Sequence, residues 1–269
     1  MSRKAVLTFF SLWNQAVGAL LVRHKPQIFH CPDFHTAIAP WYAFSGGHPT
    51  LKMLLVLHNA EYQGTISTDM IIGSRLDAIA SVFNLPPHMV QDHLLLDGRF
   101  NMLKAAVDFI LEKQDGIGAC AVSQWYAAEC HAQYAVLWSL PVLHGLDNPM
   151  LEEERIHIEG NLAEAKADAK RRLQQRFGLE QNENARLFVS LGRLVRQKGV
   201  DLIADIADWL LSNFSDAQLI LVGPVGDGFG HYAATKLEAL KECRQHDGRL
   251  YVHIQFLSTA QHCSVHHMT

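Results

Sequence analysis

Arg193 and Lys198 are the two side chains whose placement most directly suggests chemistry. They lie in the run Leu191-Gly192-Arg193-Leu194-Val195-Arg196-Gln197-Lys198-Gly199-Val200-Asp201. Ala185 to Ser190, just before it, reads as a buried strand, and the apolar spacing from Gly199 to Leu211 predicts an amphipathic helix after it. Both cations then fall in a strand-to-helix loop at the carboxyl end of a parallel strand, where open α/β sheets bind ligands. A helix N-terminus at that place already favours anions. Arg offers a planar bidentate fork and Lys a point charge, a pair suited to a diphosphate. Spacing alone allows two solvated surface cations equally well.

Three further runs carry candidate groups. In His30-Cys31-Pro32-Asp33-Phe34-His35, Asp33 and His35 could bond sugar hydroxyls or move a proton. Alternatively His30, Asp33 and His35 form a metal cluster, or Asp33 caps the following helix with His35 in its first turn. In His58-Asn59-Ala60-Glu61-Tyr62-Gln63-Gly64, His58 and Asn59 offer donors to hydroxyl or phosphate oxygens, unless the run is a hydrogen-bonded turn closed by Gly64. Gly223-Pro224-Val225-Gly226-Asp227-Gly228-Phe229-Gly230 is glycine-rich but has neither the Gly-Lys-Ser/Thr ending nor the GxGxxG order of a nucleotide fingerprint. It either lets backbone approach a ribose or base, with Asp227 on hydroxyls, or is a tight turn. His262, Cys263, His266 and His267 could grip a metal, although a truncated or mis-spliced tail is the better reading of Leu257 to Thr269.

The elements that must hold these loops alternate. Strands are expected at Gln27 to His30, Leu51 to Leu57 and Gly118 to Val122, and helices at Phe34 to Phe44, Leu76 to Phe83, Phe100 to Lys113 and Gln124 to about Ala135, the last capped by Ser123. Asn84 to Pro87 breaks the pattern. Past Asn148 a polar connector leads to a charged helix, Glu164 to Phe177, ended by Gly178. After the Arg193 loop come a strand at Gln218 to Val222, a helix at Tyr232 to about Glu242 and a strand at Arg249 to Phe256. Such β-α alternation predicts a doubly wound parallel α/β fold. The connector divides it into two Rossmann-like lobes, 1–148 and 149–269, with a cleft between them.

Composition narrows the partners. A chain of 269 residues with 49% hydrophobic and 19% charged residues is globular, and its net charge of -4 argues against nucleic acid. Five cysteines without a CxxC pair fit reduced thiols. Met1 to Val22 has the outline of a signal or anchor, a charged start and an apolar core. Asn14 and Gln15 interrupt that core, so a buried amphipathic helix feeding the first strand is expected instead.

Taken together, the motifs resemble the glycogen and starch synthases, retaining glucosyltransferases of the two-lobed GT-B type. The family's HxxDxH motif looks like His30 to His35, its His-Asn-x-x-Tyr/Phe-Gln-Gly element like His58 to Gly64, and Gly-Arg-x-x-x-Gln-Lys-Gly is met in full by Gly192 to Gly199. The similarity is strongest to the synthase domain of fungal cell-wall α-1,3-glucan synthases, through His58 to Glu61, Phe83 to Pro86, Gly199 to Asp205 and Val222 to Val225. The resemblance implies transfer of glucose from UDP-glucose (favoured) or ADP-glucose to an α-glucan with retention, using no metal and no cofactor. It gives catalytic roles to Asp33, His58, Arg193 and Lys198. It gives substrate contacts to His30, His35, Asn59, Gln63, Gly64, Gly192, Gly199, Gly223, Gly226 and Asp227. It also implies a membrane-associated parent, with this domain on the cytoplasmic side. The family's Lys-x-Gly-Gly-Leu loop and Glu-Pro-x-Gly-Leu segment have no counterpart here, so both lobes are expected to be incomplete and the chain alone weakly active or inactive. Two other classes stay open: a non-catalytic glucan-binding or interaction module, and a metal hydrolase built on His30, Asp33 and His35.

Overall fold

The computed structural model describes residues 3–66, 69–152 and 160–256. The chain divides into two compact units, Met1–Met150 and Leu151–Thr269. In chain order the first holds α1 (Arg3–His24), β1 (Ile28–Pro32), α2 (Ala39–Ser45), β2 (Lys52–Leu57), α3 (Ser74–Phe83), α4 (Pro87–His93), β3 (Leu95–Leu96), β4 (Arg99–Phe100), α5 (Met102–Gln114), β5 (Ala119–Ala121), α6 (Gln124–Gln133) and β6 (His144–Gly145). The second holds α7 (Leu162–Arg176), β7 (Arg186–Leu191), α8 (Val200–Asn213), β8 (Ala217–Val222), α9 (Gly228–Glu242) and β9 (Leu250–His253).

Each unit is built on a parallel sheet, β1-β2-β5-β6 in the first and β7-β8-β9 in the second. Parallel strands need crossover helices, and these cover the sheet with apolar faces. In the first unit α5 carries most of that work: Met102, Leu103, Ala105, Ala106, Val107, Phe109 and Ile110 are all buried, packing with Met53, Leu55 and Leu57 of β2. Full burial of the larger of these side chains, the alanines excepted, stabilises by roughly 1.5–3 kcal/mol each. In the second unit β8 is buried along its whole length, and its Gln218 is satisfied by Gln174 Nε2 at 2.8 Å and by donating to the Glu180 carbonyl at 2.7 Å.

Several expectations are corrected. The N-terminal helix is not a buried one: only Ser11, Asn14, Gly18 and Leu21 are buried, while Phe9, Leu12, Trp13 and Leu20 are exposed. Residues 34–38 are turns, not the start of a helix, and α2 begins at Ala39. Its N-cap is Ile38, so Asp33 caps nothing; the Ile38 and Ala39 amides donate instead to Asn14 Oδ1 of α1, at 2.9 and 3.1 Å. Helix α9 starts a turn earlier than Tyr232 because Asp227 caps it, accepting from Gly230 N at 2.8 Å. Strand β9 is shorter than Arg249 to Phe256. The β3-β4 hairpin, absent from the sequence expectations, turns at Asp97 and Gly98, both at positive φ, as a two-residue turn of this kind requires. Ser123 does cap α6, accepting from Tyr126 N, and Gly178 has the expected left-handed φ of 66°. The tail bearing His262, Cys263, His266 and His267 lies outside the described residues, as does most of the polar connector.

Candidate functional site

Two groups of loops carry the candidate residues, one in each unit. In the first unit β1 and β2 run parallel in register, Pro32 opposite Val56, so the loops leaving them emerge side by side. Asp33, at φ 52°, joins them. Its Oδ1 accepts from the backbone amides of His58 at 2.8 Å and Asn59 at 3.0 Å. The carboxylate thus acts as an internal clamp that fixes where the His58 and Asn59 side chains start. His58 is exposed and Asn59 half-buried, with Asn59 Oδ1 accepting from Glu61 N at 3.3 Å.

Further along, Gln63 is half-buried and tied down. Its Nε2 donates to the Ala60 carbonyl at 3.1 Å, its Oε1 accepts from Asn101 Nδ2 at 2.7 Å, and its carbonyl accepts from Leu103 N at 3.0 Å. Gly64, at φ 68°, leaves room for Phe34 and Met102, whose atoms would stand 2.6 and 2.8 Å from an added Cβ. Run 58–64 is therefore a bonded turn seated on the start of α5, and two of its candidates, Gln63 and Gly64, have structural work there. Asn101 escaped the sequence reading because the helix was expected from Phe100; it caps α5 through Lys104 N.

The three side chains of the proposed metal cluster go separate ways. His30 is exposed on β1, Asp33 holds two amides, and the His35 ring stacks on Phe34 with centroids 4.2 Å apart. Among the described residues no group of three or more His, Cys, Asp or Glu is arranged to hold a metal. Burial also pushes the neighbouring Cys31 thiol up to about 11, which keeps it neutral and a poor nucleophile or ligand.

In the second unit the loops after β7 and β8 are sewn together. Leu194 N donates to the Pro224 carbonyl at 2.8 Å, Gly226 N to the Leu194 carbonyl at 3.0 Å, and Leu194 pairs with Val225 in an isolated bridge. Asp227 completes the seam: one oxygen caps α9 and the other accepts from Arg196 N at 2.9 Å. The Arg196 guanidinium lies over the Phe229 ring, 4.8 Å from its centroid. Gly199, at φ 65°, ends a short 3-10 turn at Arg196–Lys198 and is the residue before α8. Arg193 and Lys198 are exposed on this braced loop, and neither side chain has an ion-pair or hydrogen-bond partner among the described residues. Unpaired cations on a fixed backbone at the start of a 14-residue helix can accept an anion without first breaking a bond. Behind them, the buried Oδ1 of Asp201 has no hydrogen-bond partner among the described residues; its carboxylate sits in the first turn of α8, where negative charge is favoured.

The amides of Arg196 and Gly230 hold the Asp227 carboxyl below its ordinary value. A depressed carboxyl stabilises the fold above the unfolded pKa near 4 and loses that contribution as the pH falls through the folded value. Asp227→Asn is therefore expected to lower stability at neutral pH and to reduce the acid dependence. Asp205 and Asp216, also held low by partners, keep the remainder of the slope. Thermal melts between pH 3 and 7 measure this; an undiminished slope in the variant would contradict it.

Comparisons with known proteins bear on the chain as a whole. Residues 4–134 match the family model described as the starch synthase catalytic domain. A cell wall α-1,3-glucan synthase of Schizosaccharomyces pombe is 35% identical over 87% of this chain and 10% of its own length. A glycogen synthase of Mycoplasma mobile is 26% identical over 80% of this chain and 47% of its own. The chain thus spans about a tenth of the glucan synthases it matches. Among solved structures, the catalytic domain of starch synthase IV from Arabidopsis thaliana, bound to ADP and acarbose, superposes with a TM-score of 0.72 at 20% identity, covering 100% of this chain and 55% of that one. The shared α/β architecture with parallel sheets is the GT-B glycosyltransferase fold. Residues 4–134 thus carry the sequence pattern of the starch synthase catalytic domain, and over most of its length the chain is similar to the α-1,3-glucan and glycogen synthases.

Proposed function

We propose that this chain carries the donor loops of a glucosyltransferase that moves glucose from a nucleotide-glucose, UDP-glucose in preference to ADP-glucose, to a growing α-glucan with retention. The observation that carries this reading is the unpaired pair Arg193 and Lys198 on a loop braced by Asp227. As the nucleotide departs, its diphosphate gains negative charge. A guanidinium and an ammonium already in place offset that charge without reorganisation, an effect worth a few kcal/mol of barrier. Gly192 and Gly199 shape this loop, and Gly223 and Gly226 bring the neighbouring backbone close to where a nucleoside would lie. Asp227 acts by holding the loop. On the acceptor side, Asp33 positions His58 and Asn59 for donor glucose and its phosphates. Exposed His30 and His35 face the glucan, while Gln63 and Gly64 support the turn. The first unit is in this reading the acceptor lobe and the second the nucleotide-sugar lobe. The relatives' names support the activity, since α-1,3-glucan, glycogen and starch synthases all build α-glucans.

Calorimetric titration of the purified chain with UDP-glucose and ADP-glucose tests the reading. Each charge-assisted contact is worth about 1.5–3 kcal/mol, so Arg193→Ala or Lys198→Ala should weaken binding by at least about tenfold with the melting temperature unchanged. If the folded chain binds neither nucleotide, the donor-site reading fails. Glucan binding in that case would establish the binding-module alternative.

A further inference from the structure

We propose that the outward face of α1 is an interfacial docking surface that lays the first unit on an anionic lipid surface. The helix is apolar on both sides: Leu7, Phe10, Val17 and Val22 pack on the core, and a second apolar stripe faces outward. Its inner side carries Ser11, Asn14 and Gly18 along with Leu21. Its outer side carries Phe9, Leu12, Trp13 and Leu20, with 55%, 63%, 48% and 52% of their surface exposed. At about 100° per residue these four fall within roughly 100° of arc, opposite the buried set.

Charge identifies the occupant. Residues 1–32 contain Arg3, Lys4, Arg23 and Lys25 and no Asp or Glu, in a chain of net charge -4. The two basic pairs stand at the ends of the apolar stripe, and the only acidic neighbour they meet among the described residues is Asp69, 3.9 Å from Arg3. An apolar face with Trp and terminal cations is the pattern of a helix lying in a lipid interface, its cations reaching headgroup phosphates. The apolar stripe of α8, Leu202, Ile206 and Trp209, is also exposed. It is interleaved with Asp201, Asp205 and Asp208, so the same argument does not reach it.

By length and composition α1 could instead cross a bilayer; its inner side speaks against that. Ser11 Oγ donates to the Val82 carbonyl at 2.6 Å, Asn14 Nδ2 donates to the His35 carbonyl at 3.0 Å, and Asn14 Oδ1 caps α2. Spanning would strip these bonds and carry the polar groups into hydrocarbon, where each unsatisfied group costs several kcal/mol. Lying flat keeps them all.

The test is flotation of the whole 269-residue chain with phosphatidylcholine vesicles, with and without phosphatidylserine. The folded chain should float with the phosphatidylserine vesicles and release at raised salt. The exposed-site variant Leu12→Ser/Trp13→Ser, checked for folding by circular dichroism, should bind at least about tenfold more weakly. Arg23→Glu/Lys25→Glu should lose the preference for phosphatidylserine. Wild-type chain that stays unfloated while folded, or an apolar variant that floats equally well, overturns the proposal. So does resistance to carbonate extraction, which would assign a spanning helix. A dimer in light scattering that the apolar variant dissociates, without flotation, would assign the face to a second copy. The Leu12→Ser/Trp13→Ser chain should retain its nucleotide titration, so failure here and failure of the donor-site reading are separable.

Discussion

Gly223→Ala is expected to destabilise the second unit by more than about 3 kcal/mol, among the larger effects a single methyl can have. Gly223 directly follows β8 and is buried. A Cβ on it would stand 1.7 Å from the Gly192 carbonyl oxygen and 2.7 Å from its carbon, far inside contact distance. A flexible side chain could swing away from such a clash; this backbone cannot. Gly192 N donates to the Val222 carbonyl at 3.1 Å, Gly223 N to the His253 carbonyl at 3.0 Å, and Leu194 N to the Pro224 carbonyl at 2.8 Å. Moving either strand end breaks the ladder that sets the register. Gly223 also sits at φ 157°, which adds strain for any side chain. The control is Gly228→Ala, five residues on in the same glycine run, where an added Cβ meets nothing within 4 Å; it should be neutral or slightly stabilising. Thermal melts of the two variants decide it. Equal melting temperatures would mean that the loops after β7 and β8 do not pass in contact.

This contrast shows what the sequence could and could not convey. The glycine run reads either as a backbone approach to a ribose or base or as a tight turn, but its four glycines look alike on paper, and which of them meets a carbonyl depends on how β7 and β8, a helix apart in sequence, pair. Likewise the Arg193 and Lys198 loop is legible because strand, loop and helix are consecutive. The role of Asp33 is not, since its partners at His58 and Asn59 lie 25 and 26 residues away. Local rules succeeded where the partner was local: Ser123 capping α6 and Gly178 after α7 need only their neighbours in sequence. The Asp97-Gly98 hairpin was equally local. It went unread because β3 and β4 have two residues each, too few to show an alternation.

The N-terminal helix is where the sequence places it, but its burial departs from the expectation for a physical reason that Asn14→Ala exposes. Asn14 looks like a polar interruption of an apolar segment, yet it is fully buried and makes four hydrogen bonds. It donates to the Phe10 and His35 carbonyls at 2.9 and 3.0 Å and accepts from the Ile38 and Ala39 amides at 2.9 and 3.1 Å. Helix α2 takes its N-terminal acceptor from α1, because its own N-cap is Ile38, with no side-chain oxygen to offer. Ala39 N also reaches the Thr36 carbonyl at 3.1 Å, so the amide most exposed to loss is that of Ile38. An orphaned buried donor costs about 1–3 kcal/mol and a lost cap about 1, so Asn14→Ala should destabilise the first unit by roughly 2–4 kcal/mol. Asn14→Asp separates the two halves of the side chain. It keeps an acceptor for both amides but turns a carboxylate oxygen toward the Phe10 and His35 carbonyls, which raises its folded pKa above the unfolded value near 4. A group raised in the fold contributes fully below its unfolded pKa and loses that contribution as the pH rises. The Asp variant should therefore approach wild-type stability near pH 4 and fall away toward pH 7, while the Ala variant stays low at both. A pH-independent deficit in Asn14→Asp would show that the donor half of Asn14 has no stabilising partner, and that α1 is held by packing of Leu21 and Gly18 instead.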